Sequence, residues 1–334
     1  MTRVSPQDLH VAVIGAGGNQ ASEFIDLRGS GTSSLVAVEI DEGARRRVSR
    51  LGHRTYASTD ELLKDELIDA AYIAVPHHHH APLAAQLLQH GVTVLEEKPF
   101  AVTNDEANAL IALSASTGTP VFTTAQRPFK HTFRQLLSSL HVLGDIYSYT
   151  YDYTLSLASQ TTGWRSSWTA ARGGVMLDMA YHQLDVITLL LGPQKVEAAQ
   201  VGYCYRESWV ERLEDAGTIL TATGDGRCTG RITTHRHAHA KSEQLVLYGS
   251  DAVAVMDARQ LRIYDRKGSV RWLVNEPGGA QSAVRAMFQE YLANRRSPIY
   301  WRPHMERHRS VVECLDRAYE FASLERDYQE VHNA

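Results

Sequence analysis

Asp178, His182 and Asp185 are spaced by four and three residues. On an α-helix, turning about 100° per residue, they fall within an arc of roughly 60°. An imidazole flanked by carboxylates on one face suits general acid–base work. The ring exchanges a proton near neutral pH, and a carboxylate one turn away orients it and raises its basicity. The surrounding stretch, 175–191, is otherwise dominated by Val, Ile, Leu, Met and Ala, which predicts a largely buried helix. A polar wedge on such a helix is either satisfied internally or lines a wet cleft, because an isolated buried charge is costly or changes its pKa. The residues alone leave both readings open. A second candidate is the pair Lys98-Pro99. Lys98 closes an apolar run, and ligands of parallel sheets bind beyond the carboxyl ends of the strands. Pro99 favours an extended Lys98 backbone and permits a cis bond.

Two kinds of element must position these groups. Over the first 125 residues, short apolar runs at 11–14, 35–39, 70–75, 93–96 and 121–125 alternate with helical stretches near 19–28, 42–51, 81–90 and 104–117. That rhythm predicts an α/β domain with a doubly wound parallel sheet, since parallel strands need crossover connections. After residue 126 the order becomes a helix, a tyrosine-rich strand at 146–155, a loop rich in Trp, Arg and Ser, and the buried helix. From 196 to 274, alternating runs are broken by turn signals such as Gly224-Asp225-Gly226 and Arg266-Lys267-Gly268, which predicts a mostly antiparallel sheet. Helices close the chain. The expected domains are 1–125 and an α+β domain over 126–334.

The first strand runs into Gly15-Ala16-Gly17-Gly18-Asn19-Gln20-Ala21 and then a helical stretch, the setting of a Rossmann dinucleotide turn. Gly15 permits the tight turn, Gly17 lets backbone approach a pyrophosphate, and the helix start supplies N–H donors. Gln20 stands where a third glycine is usual. Glu39 ends the second strand, about 20 residues past the glycines, where a carboxylate accepts from the adenosine ribose hydroxyls and repels a 2′-phosphate. The expected cofactor is NAD rather than NADP, with Arg45-Arg46-Arg47 read as a solvated basic helix face.

Glu97-Lys98-Pro99, preceded by Leu62-Leu63, Ile68-Asp69-Ala70, Val75-Pro76, His80 and Gly91, resembles the glucose-fructose oxidoreductase, inositol dehydrogenase and MocA family (Gfo/Idh/MocA). The resemblance continues through the 103–113 helix and Gly173-Gly174 into Asp178-x-x-x-His182-x-x-Asp185. It implies that Lys98 binds the reacting oxygen and that His182 transfers the proton. Asp178 becomes a substrate-binding or relay carboxylate. It also implies that Pro76, His80, Glu97 and Gln126 lie beside the cofactor, that Trp164-Arg165 reach cofactor or substrate, and that Arg127 and His235 face the substrate cleft. Arg127-Pro128 departs from the family, which often has two basic or aromatic residues there. The implied reaction interconverts a secondary alcohol and a ketone on a sugar, aminosugar or cyclitol. A hydrolase or lyase retaining NAD for transient oxidation, or a non-catalytic NAD-binding sensor, are the competing readings. The implied assembly is a homodimer or homotetramer through the open face of the C-terminal sheet.

A net charge of −4 offers no basic footprint for nucleic acid, and no apolar stretch approaches the roughly 20 residues of a membrane span. The polar start of the chain lacks the apolar core of an export signal, so the cytoplasm is expected. Three cysteines lack metal-site spacing. Of the tract His77 to His80, only His80 is taken as functional and the others as solvent-exposed, because adjacent histidines cannot all face one ion. His235, His237 and His239, spaced by two, are expected to share a strand face at the cleft or a subunit contact rather than to bind metal.

Overall fold

β1 (Leu9–Ile14), β2 (Thr32–Val38), β3 (Arg54–Tyr56), β4 (Ala70–Ile73), β5 (Thr93–Glu97) and β6 (Val121–Thr124) form one sheet in the order β3-β2-β1-β4-β5-β6. All its pairings are parallel. This is the doubly wound Rossmann sheet. The computed structural model describes residues 9–18, 21, 24, 32–159 and 161–332. Most of the helix expected near 19–28 therefore lies outside the described residues. β4 and β6 are buried at every position, as strands covered on both faces must be. β3 was not expected: it is three residues long and only Tyr56 is buried. Helices Glu42–Arg50, Thr59–Asp65, His80–Gln89 and Asn104–Thr117 provide crossovers. Two begin with a capping box. Ser58 Oγ accepts from Glu61 N–H and Thr103 Oγ1 from Glu106 N–H, both at 3.2 Å, while each glutamate reaches back to a preceding backbone N–H.

The edge strand β6 is covered from far along the chain. Thr123 N–H donates to His304 Nε2 at 3.0 Å, Tyr291 Oη donates to Thr123 O at 3.3 Å, and Phe122 stacks on Tyr291 with ring centroids 4.7 Å apart. One compact unit is therefore Met1–Ala125 with Val284–Arg309, and the other is Gln126–Ala283 with Ser310–Ala334. A single boundary after residue 125 does not capture that return of the chain.

In the second unit the helix His131–Ser138 precedes β7 (Ile146–Ser156). Then come a short helix, Trp168–Ala171, and a π-helical turn, Met176–Ala180, that passes into the α-helix Tyr181–Leu191. β8 (Gln194–Gly202), β9 (Ala216–Thr223), β10 (Thr229–His235), β11 (His237–Gly249), β12 (Ala252–Asp257), β13 (Gln260–Asp265) and β14 (Val270–Asn275) complete an eight-stranded sheet. Its order is β14-β13-β12-β11-β7-β10-β9-β8, antiparallel except where β10 meets β7. Tyr149, Tyr151 and Tyr153 of β7 alternate with more open neighbours and are buried on one face, as the period of two requires. Gln183 Nε2 donates to Tyr151 O at 2.7 Å and to Thr233 O at 3.2 Å, pinning the helix to that sheet. Among the described residues no helix is long and apolar enough to cross a membrane.

Candidate functional site

The chain leaves β1 through Gly15-Ala16-Gly17-Gly18. Gly15 has φ of +83°, the left-handed region where a side chain is strained. A Cβ on Gly17 would lie 2.7 Å from Ala44 Cβ and 2.8 Å from Glu39 Oε2. The close approach assigned to a pyrophosphate is thus already demanded by the protein's own packing. Gly17 N–H donates to Glu39 Oε2 at 2.7 Å and Asp41 N–H to Glu39 Oε1 at 2.9 Å, so the carboxylate is fixed at the end of β2. Each carboxylate oxygen accepts more than one hydrogen bond, so ribose hydroxyls can still be received. Gly18 has only ordinary van der Waals neighbours and leaves backbone room beside the turn. These residues fit a dinucleotide. Asn19 and Gln20 lie outside the described residues. Arg45 is less solvated than expected: its Nη1 donates to Glu39 O at 2.7 Å.

Lys98 follows β5, half-buried, and its bond to Pro99 is cis. Glu97 Oε1 accepts from Tyr72 Oη at 2.5 Å and Thr124 Oγ1 at 2.9 Å, tying β5 to both neighbouring strands. Pro76 precedes a 3-10 turn, His77–His79. His80 departs from expectation. It is fully buried, with Nδ1 3.1 Å from Pro99 O and Nε2 3.0 Å from Val75 O. Burial pushes its pKa down to about 4, so the ring is neutral at pH 7. With no surface of its own, His80 clasps the Val75 and Pro99 segments instead of touching a cofactor. His77, expected in solvent, is also buried.

The π-helical turn alters the expected spacing, because Asp178 lies in a wider turn than the α-helix that carries His182. Across 175–188 every residue but Asp178 and His182 is buried, and those two are half-buried. Asp185, 1% exposed, belongs to the interior, so the polar wedge narrows to one carboxylate and one imidazole. Glu214, unforeseen in the sequence, anchors the start of this segment. Its carboxylate accepts from Gly174 N–H at 3.1 Å, Met176 N–H at 2.9 Å and Tyr319 Oη at 2.9 Å. Burial raises its pKa, and these hydrogen bonds pull it back. Gly174 is required there, since a Cβ would collide with the Glu214 backbone. Arg236 was also missed. Its Nη2 lies 3.4 Å from Asp178 Oδ2, and its Nη1 donates to Thr161 Oγ1 at 2.9 Å.

Arg127, expected to face substrate, is buried in an ion pair with Glu243. Glu243 also accepts from Tyr151 Oη at 2.7 Å, and the guanidinium lies 4.9 Å from the centroid of the Tyr153 ring. Burial raises the pKa of Glu243, but Arg127 outweighs it and holds the carboxyl below its usual range. With its charge compensated inside the unit, Arg127 is a structural joint. Gln126, Trp164 and Arg165 are half-buried, and Arg165 stacks 4.2 Å from the Trp164 ring centroid. His235 is exposed and ends β10, whereas His237 begins β11, so the three alternating histidines do not share one strand. His237 instead faces Leu157 O at 2.9 Å and Asp215 Oδ1 at 3.3 Å. Among the described residues no cluster of His, Cys, Asp and Glu is arranged to hold a metal.

Comparison with known proteins bears on both units. Residues 9–125 match the oxidoreductase family with NAD-binding Rossmann fold (GFO_IDH_MocA), and 131–255 match the GFO/IDH/MocA C-terminal domain. The scyllo-inositol 2-dehydrogenase (NADP(+)) IolU of Bacillus subtilis (strain 168) is 28% identical over 208 residues, covering 60% of this chain and 61% of that protein. Levoglucosan dehydrogenase, solved with NADH and levoglucosan, has a TM-score of 0.83 at 17% identity, covering 96% of this chain and 98% of that one. KijD10, a 3-ketoreductase from Actinomadura kijaniata solved with NADP and TDP-benzene, has a TM-score of 0.79 at 20% identity, over 93% and 97% of the two chains. At those identities the structural likeness is one of fold. The chain spans 44%, 53% and 48% of the length of three curated relatives that it matches. With successive matches falling on the Rossmann sheet and on the larger sheet that follows it, the chain belongs to the Gfo/Idh/MocA family of NAD(P)-dependent oxidoreductases.

Proposed function

We propose that this protein is an NAD-dependent dehydrogenase or reductase interconverting a secondary alcohol and a ketone on a sugar, aminosugar or cyclitol. The observation that carries the reading is the narrowing of the polar wedge to Asp178 and His182 on an otherwise buried segment. NAD, when bound, supplies the hydride acceptor or donor. A hydroxyl carbon gives up hydride only as its proton leaves, so His182 acts as the base in oxidation and returns the proton in reduction. Asp178, one turn before His182, binds substrate or relays the proton. Lys98 supplies a cation to the developing oxyanion. Gly15, Gly17, Gly18 and Glu39 hold the adenosine and pyrophosphate end, with Asn19, Gln20, Pro76, Gln126, Trp164 and Arg165 contributing on the strength of the family resemblance. Glu39 supports NAD over NADP, because a fixed carboxylate at the end of β2 repels a 2′-phosphate. The partner in assembly is a second copy of the chain through the larger sheet, on which Leu220 stands 45% exposed.

Screening sugars, aminosugars and inositols with NAD and NADP, by absorbance of the reduced nicotinamide, tests cofactor and substrate class together. His182→Ala and Lys98→Ala should each lower kcat/KM by about 100-fold or more. His182→Ala should leave NAD affinity unchanged. Full activity in either variant would refute the assigned roles.

A further inference from the structure

We propose that Arg236 is the positioning residue of Asp178, coupling that carboxylate to the loop that carries Trp164 and Arg165. The inference rests on the functional reading above and extends it to a residue outside the family motifs. β10 runs parallel to one side of β7, and β11 runs antiparallel to the other side. The link between β10 and β11 must therefore cross the end of β7. That link is the single residue Arg236.

Both backbone groups of Arg236 are fixed at the crossing. Its N–H donates to Asp215 O at 2.9 Å, and its carbonyl accepts from Leu157 N–H at 3.2 Å, one residue past the end of β7. His237 reinforces the point through its contacts with Leu157 O and Asp215 Oδ1. The side chain then enters the unit, 4% exposed, and its two terminal nitrogens face different elements. One meets Thr161 in the 157–166 loop, and the other meets Asp178 on the π-helical turn. A planar guanidinium can address two directions at once, whereas an ammonium is a single point charge. The Asp178 side chain is 21% exposed, so it can reach a substrate while its inner side is held by a buried cation. Arg236 itself is too buried to bind substrate. Its effect is to fix the carboxylate that stands one turn before His182 and to set the loop against it.

The test uses the full chain with NAD and a polyol substrate from the screen. Kcat and KM are measured separately, NAD affinity by quenching of protein fluorescence, and folding by thermal unfolding. Arg236→Gln should lower kcat by about 10–100-fold with NAD affinity unchanged, because a displaced carboxylate no longer holds the substrate in line with the acid–base group. Arg236→Lys should lie between Gln and wild type, since it restores charge without the fork. Thr161→Val should raise substrate KM several-fold in the wild type and have no further effect in Arg236→Lys, the non-additivity expected of coupled residues. Wild-type kcat in both Arg236 variants, or additive Thr161 and Arg236 effects, would overturn the proposal. Should Arg236→Gln not fold, Arg236→Lys and the Thr161 pair decide it. Asp178→Asn separates the two levels. An active Asp178→Asn defeats the functional reading itself, whereas an inactive one beside fully active Arg236 variants defeats only this inference.

Discussion

Glu214 and Glu96 are both buried carboxyls, yet the chain accommodates them in opposite ways. Glu214, 1% exposed, is surrounded by donors from Gly174, Met176 and Tyr319. Glu96, inaccessible in the middle of β5, has neither oxygen hydrogen-bonded among the described residues. Its neighbour Glu97 points to the opposite face of the strand and is satisfied by Tyr72 and Thr124. Burial pushes both buried carboxyls upward in pKa, and for Glu96 the charge of Glu106 adds to the rise. The difference separates two answers to one problem. A buried acid either gathers donors and becomes part of the architecture, or it keeps its proton and carries the cost of an unmet polar group.

The contrast is most easily broken at Glu214. Glu214→Ala leaves two buried backbone N–H groups and a phenol without their acceptor, so a loss of about 3–5 kcal/mol is expected in urea unfolding. A loss below 1 kcal/mol would show that the donors find other partners.

His80 sharpens the comparison from the basic side. Its ring is ordinarily protonated below about pH 6.5, but in the fold its pKa falls to about 4 because burial disfavours the charge. Between those values the unfolded chain takes up a proton that the native ring refuses. Stability present in full above pH 6.5 is therefore lost as pH falls towards 4, by roughly 3 kcal/mol for this group. Burial lowers the pKa of His304 and His308 in the same direction. The slope of unfolding free energy between pH 6.5 and 4 should flatten in His80→Gln, and an unchanged slope would assign the acid sensitivity elsewhere.

The smallest expected effect is a gain. Glu96→Met replaces an unsatisfied carboxyl with an apolar side chain of similar length and should stabilise the fold by about 1–2 kcal/mol at pH 7. Above the ordinary glutamate pKa the unfolded chain ionises while native Glu96 stays protonated, so the wild type loses stability as pH rises through that window. The advantage of Glu96→Met should accordingly be larger at pH 8 than at pH 5. Destabilisation at both pH values would mean that the carboxyl has a partner.

Much of the first sheet was legible because strands covered on both faces read as unbroken apolar runs. β3 was not, since three residues with one buried side chain carry no periodicity. The helix Thr59–Asp65 was not expected either, although its capping pair, Ser58 and Glu61, stands in the sequence. Asp178 and His182 were legible as types and spacing. The π-helical turn that changes their phase was not, because 176–180 contains ordinary helix-forming residues. Glu214 and Arg236 belong to distant turns, and no local pattern joins them to the helix they serve. Arg127 misled for a related reason: its charge was visible, but the Glu243 that compensates it lies on β11, more than a hundred residues along the chain.

The cover that Tyr291 and His304 provide for β6 limits how this protein can be divided. A fragment stopping at Ala125 would keep all six strands of the nucleotide-binding sheet and still expose the Thr123 amide and carbonyl along an open margin. Such margins recruit strands from neighbouring molecules, so a soluble minimal version of this half would need the later segment grafted back by a designed linker.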